Sequence, residues 1–527
     1  MVKEIYVYDT TLRDGSQSEG VSYSLEDKVR IAKKLDSFGI SFIEGGWPYS
    51  NPKDKEFFDY FKKNPLKKSQ LVSFGSTRYV HSKAEKDKNL ISLVNSGTSY
   101  ITIFGKTWDL HVRDVLKTSL DENLKMVFDS VSFLKKKKRK VFYDAEHFFD
   151  GFKANKEYAL KTLKAAAEGG ADSIVLCDTN GGSLSWEISS IIEQVKEVIT
   201  LPLGIHTHND CGFALANSLV AVSSGCNQVQ GTINGYGERC GNADLIPIMA
   251  ILQAKMGYKM FGVKKLDKLA ELSHYISEIS NMKHQDNLPF VGRSAFAHKA
   301  GVHINAVLKN PLAYEHMNPE LVGNKRRILT SEVSGKTAIV MAAKDLDFEL
   351  DKKSSQVKKI HKMIQLLEKE GYQFEAADGS LKLIIQRNVK RHKKFFSLLG
   401  FRVIVEKTET GKIVTEATLK LKIDNKVKYT VAEGDGPVNA LDAALRRSLS
   451  ENYPCISQMH LTDFKVRVLD ERKGTATKVR VLIESQDAEE TWSTIGVSEN
   501  IIEASWQALV DSLEYKLLKE SKRNTIK

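Results

Sequence analysis

Asp14, His206 and His208 are the side chains of this sequence whose types and spacing best suit a divalent ion. Asp14 lies in DTTLRDG, residues 9–15, and the histidines open HTHND, residues 206–210. The histidines are two apart, so in extended backbone both rings leave the same face. Two imidazoles and a carboxylate form a mixed nitrogen–oxygen set suited to a divalent metal. Each motif follows a short apolar run, Ile5-Tyr6-Val7-Tyr8 or Leu203-Gly204-Ile205. Both therefore belong at strand C-termini, where (β/α)₈ barrels keep their chemistry.

The elements that must position these residues are legible as alternating runs. Strands are predicted at 4–8, 42–45, 71–74, 100–104, 141–145, 173–177, 203–206 and 228–232. Helical patterns near 25–38, 53–63, 83–96, 121–137, 155–168, 185–199 and 212–224 separate them, and 242–256 supplies an eighth. Eight of each within about 260 residues predict an α/β fold, a TIM barrel over 1–260. An open doubly wound sheet is the alternative, but no GxGxxG follows the first strand. Residues 261–395 are polar and largely helical, interrupted at Val322-Gly323-Asn324, with an exposed helical stretch from Asp345 to Glu370. They read as a helical connector packing partly over the barrel mouth. Residues 396–527 repeat a βββα pattern: 397–406, 414–423, 426–432 and helix 437–449, then 460–470, 475–485, 490–497 and helix 499–518. GDGPVNA, with Pro437 near the first turn, marks a helix start. This third region reads as an α+β module for ligand binding or dimerisation.

Bulk properties narrow the function classes. The chain has 527 residues, 42% hydrophobic and 27% charged, as in ordinary globular proteins. No apolar run approaches the roughly 20 residues that span a bilayer, so no membrane partner is expected. The first strand begins so early that no signal peptide is expected, and five cysteines without a CxxC pair fit a reducing cytoplasm. The net charge of +12 is spread through all three regions. A nucleic-acid partner would need basic and aromatic residues on one face, so none is expected. The densest run, Lys135 to Lys140, reads as a solvated helix end.

Six strand ends carry polar groups: Arg13 and Asp14; Glu44; Asp144 and Glu146; Asp178-Thr179-Asn180; His206, His208, Asn209 and Asp210; and GYGERCGN, residues 235–242. Glu238 and Arg239 are expected to pair and shape their loop. Phe148, Phe149 and Phe152 suit either a substrate wall or burial under a loop. Cys240 and the histidines at 147, 274, 284, 361 and 392 receive no role.

DTTLRDG, HTHND and GERCGN, in this order and spacing, resemble the family of 2-isopropylmalate, homocitrate and citramalate synthases. AHKAGVHINAVLKN, residues 297–310, resembles the family segment that completes the active site from outside the barrel. GDGPVNA resembles the start of its regulatory domain, and EGGWPYSNPKD, residues 44–54, resembles the long citramalate synthase branch. The resemblance implies a metal-dependent Claisen-type condensation of acetyl-CoA with a 2-oxo acid, pyruvate on this branch, followed by thioester hydrolysis. It implies Asp14, His206, His208 and Asn242 as ligands of Mg²⁺, Mn²⁺, Zn²⁺ or Co²⁺. It implies Arg13 at the developing alkoxide, Arg13, Asp144 and Thr179 toward the oxo acid, and Glu146, His303 and Tyr314 as the acid–base set. It also implies a homodimer with isoleucine as feedback effector, held near the helix start at Gly434, Asp435, Gly436, Pro437 and Val438. Asn305 departs from the family, where an acidic residue often stands two positions after the histidine. Isopropylmalate synthesis from 2-oxoisovalerate is the alternative within the family. A lyase on the same barrel is another, against which the C-terminal repeat argues.

Overall fold

A computed structural model describes residues 4–329, 335–344, 346, 348–389, 394–409, 411–469, 477–488 and 490–526. The chain forms two compact units, residues 1–296 with 317–325, and residues 297–316 with 326–527.

The first unit is a closed parallel barrel. Its strands are β1 (Glu4–Asp9), β2 (Phe42–Gly46), β3 (Gln70–Ser76), β4 (Tyr100–Lys106), β5 (Lys140–Glu146), β6 (Ser173–Asp178), β7 (Leu203–Thr207) and β8 (Gln228–Gly231). They pair in sequence order, and β1 bonds to both β8 and β2, which closes the ring. A short β9 (Lys259–Met260) adds to β1. Alternation sorts each strand's residues between two environments. Ile5 and Val7 join the large core shared with the surrounding helices. Tyr8, Phe42, Val72 and Phe142 form a separate cluster, as expected of the side chains that fill a barrel interior. Its rings meet edge-on or tilted, Phe42 and Phe142 at 5.1 Å and 88°, a favoured aromatic geometry.

The helices begin where capping chemistry allows. Leu25–Phe38 opens with a reciprocal capping box between Ser24 and Asp27. It ends at Gly39, whose φ of 104° suits glycine. Asn51, Asp87, Ser119, Asn155 and Asp244 each accept a first-turn N–H of the helix that follows. The basic run after helix Leu120–Lys136 is partly paired, with Lys135 and Lys140 both contacting Asp172. Phe148, Phe149 and Phe152 are core residues rather than cavity wall.

The second unit contains the paired strands β10 (Ala297–His298) and β11 (Arg327–Ile328), the helices Gly301–Lys309, Gly335–Lys344, Ser355–Lys369 and Asp378–Asn388, and the βββα repeat. One antiparallel sheet is β12 (Phe396–Lys407), β13 (Ile413–Ile423) and β14 (Lys426–Gly434), covered by helix Pro437–Leu449. The other is β15 (His460–Val468), β16 (Val479–Gln486) and β17 (Thr491–Ser498), covered by helix Ile501–Ile526. The expected repeat is thus present; Asp345, His392, Asp470 and residues 475–476 lie outside the described residues. Helix Ser355–Lys369 is amphipathic rather than wholly exposed, burying Val357, Ile360 and Ile364 in a cluster with Ile495 and Val497 of β17. The Val322-Gly323-Asn324 interruption is the end of a 3₁₀ turn, with Gly323 at φ 73°. Among the described residues no helix is long and apolar enough to cross a membrane.

Candidate active site

At the C-terminal end of the barrel, Asp14, His206 and His208 converge. His206 Nε2 lies 3.2 Å from Asp14 Oδ2 and 3.2 Å from His208 Nε2, and His208 Nε2 lies 3.9 Å from the same carboxylate oxygen. All three residues are buried. Such separations suit ligands sharing one ion with bonds of about 2.0–2.2 Å. Asn242 stands beside them, bridged through its backbone to His208. Its Oδ1 is buried without a hydrogen-bond partner, as is His208 Nδ1. A buried amide oxygen left unpaired beside two imidazoles and a carboxylate fits a divalent ion as the missing partner.

The surrounding groups orient this set. Gln230 Oε1 accepts from His206 Nδ1 at 2.8 Å, while Gln230 Nε2 donates to Asp144 Oδ1 at 3.2 Å. That bond puts the proton on Nδ1 and leaves the His206 Nε2 lone pair for a ligand bond. Burial, with His206 beside it, pushes His208 down to about 3, so its ring is neutral. Burial opposes the ionisation of Asp14, but Arg13 and His206 outweigh it and hold the carboxyl well below the usual range. Burial, helped by the charge of Glu44, pushes Asp144 up to about 7.

Arg13 is fixed from three sides. Its Nε donates to Glu44 Oε1 at 2.6 Å, its Nη1 lies 3.3 Å from Asp14 Oδ1, and its guanidinium carbon sits 3.8 Å from the Phe74 ring centroid. Glu44 also accepts from Tyr8 at 2.5 Å and Thr10 at 2.6 Å. Removing one partner of such a buried pair costs about 3–5 kcal/mol.

A cavity of about 260 Å³ adjoins these groups, lined by Arg13, Asp14, Asp144, Glu146, Thr179, His206 and His208 on its polar side. Trp47, Phe74 and Phe104 form its apolar wall. Trp47 meets Phe104 at 5.7 Å and Phe74 at 6.0 Å, both nearly edge-on, and its Nε1 donates to Asn89 Oδ1 at 2.7 Å. The Thr179 hydroxyl accepts from the His147 N–H at 2.9 Å.

The loops are locked by backbone approach. Gly241 has φ 88°, and a Cβ there would stand 2.0 Å from Gly235 O. A Cβ on Gly237 would stand 2.3 Å from Asn242 Nδ2. The expected Glu238–Arg239 pair is replaced. Arg239 grips Asp210 at 2.8 and 2.9 Å and donates to Thr179 O at 2.7 Å. A neighbour in sequence offers one-sided contact, whereas Asp210 offers a bidentate fork. Cys240 is exposed.

His303 and Tyr314 belong to the second unit, where their rings stack at 4.2 Å. There too Gly434 ends β14, and Gly436 caps the helix whose first turn holds Pro437 and Val438. The Asp435 N–H is taken by Asn439 Oδ1 at 3.1 Å. The sequence reading missed Gln230, Lys106, Phe74 and Phe104. A polar Gln at every second position of β8 was the available signal for Gln230.

Three family models match the chain: HMGL-like over residues 4–276, Homocitrate synthase post-HMGL domain-like over 290–371, and LeuA allosteric (dimerisation) domain over 375–517. The chain is similar to an (R)-citramalate synthase of Aquifex aeolicus, 52% identical across 100% of both chains. It is 52% identical to an (R)-citramalate synthase of Geobacter sulfurreducens, across 98% of each. Identity to a 2-isopropylmalate synthase of Methanocaldococcus jannaschii is 32%, across 98% of this chain and 96% of the relative.

Proposed function

Because the chain belongs to the family of 2-isopropylmalate, homocitrate and (R)-citramalate synthases, on the citramalate branch, we infer that the barrel-mouth cavity is where acetyl-CoA and pyruvate are joined. The protein is a transferase that condenses these two substrates into (R)-citramalate and CoA. The observation that carries the substrate choice is end-to-end identity of 52% to citramalate synthases against 32% to an isopropylmalate synthase. Trp47, Phe74 and Phe104 would give the oxo acid's side chain an apolar wall beside the polar groups.

Asp14, His206, His208 and Asn242 would hold the divalent ion, which when bound supplies Lewis-acid polarisation of a ketone. Arg13, already fixed by Glu44, is placed to stabilise negative charge growing on the ketone oxygen. The Thr179 hydroxyl is suited to the oxo-acid carboxylate. In our reading Glu146, with His303 and Tyr314 of the second unit, moves the protons. One leaves the acetyl methyl, the resulting enolate carbon bonds to the ketone carbon, and the new alkoxide is protonated. Water then cleaves the thioester and CoA leaves as the thiol. We further propose that the second unit makes the protein a homodimer. Isoleucine, end product of a pathway that citramalate would feed, is the effector we assign to it.

The test is acetyl-CoA turnover, followed by free-thiol release, against pyruvate, 2-oxoisovalerate and 2-oxoglutarate. Pyruvate is expected to give the highest kcat/KM. A higher value for 2-oxoisovalerate would reassign the protein to isopropylmalate synthesis.

A further inference from the structure

Lys106 closes β4 and Glu146 closes β5, and the two residues are direct partners in the parallel ladder. The Lys106 ammonium is ion-paired with Glu146 Oε2 and lies 5.5 Å from the Phe104 ring centroid. The strand ends are tied a second time. The Thr107 N–H and hydroxyl donate to the Glu146 carbonyl at 3.3 and 2.6 Å, and Asn123 Nδ2 donates to the Lys106 carbonyl at 2.8 Å. Thr107 and Asn123 are fully buried. Glu146 and Phe104 line the cavity, and Lys106 braces both.

A glutamate side chain has three rotatable bonds. Anchoring one carboxylate oxygen removes most of that freedom before a substrate arrives. The other oxygen then meets a proton from a fixed direction.

We propose that Lys106 is a positioning residue of the condensation, holding the Glu146 carboxylate against the cavity wall in the geometry that exchanges the substrate proton. The proposal rests on the reading of Glu146 as an acid–base group. Four variants of the full chain separate the two: Lys106→Met, Lys106→Arg, Glu146→Gln and the double variant Lys106→Met/Glu146→Gln. Lys106→Met should lower kcat by about 10²-fold, the loss expected of a small misplacement, with the KM values for pyruvate and acetyl-CoA little changed. Lys106→Arg, which keeps the charge, should recover most of the rate. The double variant should be no slower than Glu146→Gln alone. A raised KM at unchanged kcat in Lys106→Met would make Lys106 a substrate-binding group and overturn the proposal. So would losses in the double variant that multiply. Wild-type kcat in Glu146→Gln would instead remove the acid–base reading itself. If Lys106→Met does not fold, Lys106→Gln carries the same comparison.

Discussion

At the residue scale the site depends on which atoms are left unpaired. Asn242 Oδ1 and His208 Nδ1 are buried without partners beside Asp14 and His206. Asp14→Ala, His206→Ala and His208→Ala should each lose bound metal and turnover together, with metal content of the purified variants as the measurement. Full occupancy in any of them would strike that residue from the ligand set. Gln230 acts one step further out, through the His206 Nδ1 proton. Gln230→Leu should weaken metal affinity about 10–100-fold, the usual effect of losing such a support, read by titration with a metal chelator. Unchanged affinity would leave Gln230 a packing residue. The candidate ligands Asp14, His206 and His208 were visible in the sequence because they stand in recognisable motifs after apolar runs. Gln230, Lys106 and Phe74 were not, because each matters through a neighbour that only the closed barrel supplies.

At the element scale, strand ends and the loops after them set where these atoms stand. The loop after β8 carries Asn242 through a backbone crossing at Gly235 and Gly241 too close for a side chain. Gly241→Ala, at φ 88°, should therefore displace Asn242 and reduce metal affinity while the melting temperature of the barrel changes little. Wild-type affinity in that variant would refute the placement. The end of β1 bears a different load. Burial pushes Asp9 up to about 7, against hydrogen bonds from Thr11 that lower it. The native state thus holds this proton more tightly than the unfolded chain, whose carboxyl titrates near 3.8. Stability then falls as pH rises from about 4 to about 7, because the native state binds more protons across that window. Denaturant titrations of Asp9→Asn and the parent protein at several pH values should show a shallower fall in the variant. Equal slopes would mean that Asp9 ionises freely in the fold. Strand and helix positions were legible almost throughout, since alternation and capping are local. The short strands β10 and β11 were not, because two residues carry no period.

At the scale of the whole chain, two compact units stand beside three regions expected from sequence, and three family models match in succession over residues 4–276, 290–371 and 375–517. Residues 355–388 share a core with β17, so the helical stretch and the repeat stand as one unit. Local composition separates them, but the buried contacts of Ile495 and Val497 join them, and no sequence pattern encodes that. A cut at residue 396 would tear this core, so control is better tested in the intact chain. Isoleucine at millimolar concentration should slow the full-length enzyme. Gly434→Ala, whose Cβ would stand 2.5 Å from Ala440 N, should relieve that inhibition while leaving the metal content unchanged. An unresponsive parent enzyme would dismiss isoleucine as effector. The barrel mouth itself has two separately anchored sides. The candidate ligand set hangs from β1, β7 and the loop after β8, whereas the aromatic wall comes from β3, β4 and the segment just past β2. The two arcs are nonetheless joined, since Phe74 of β3 lies under the Arg13 guanidinium and Lys106 of β4 is paired with Glu146 of β5. A change on the aromatic arc would therefore reach the reacting groups as well as the oxo acid that is accepted.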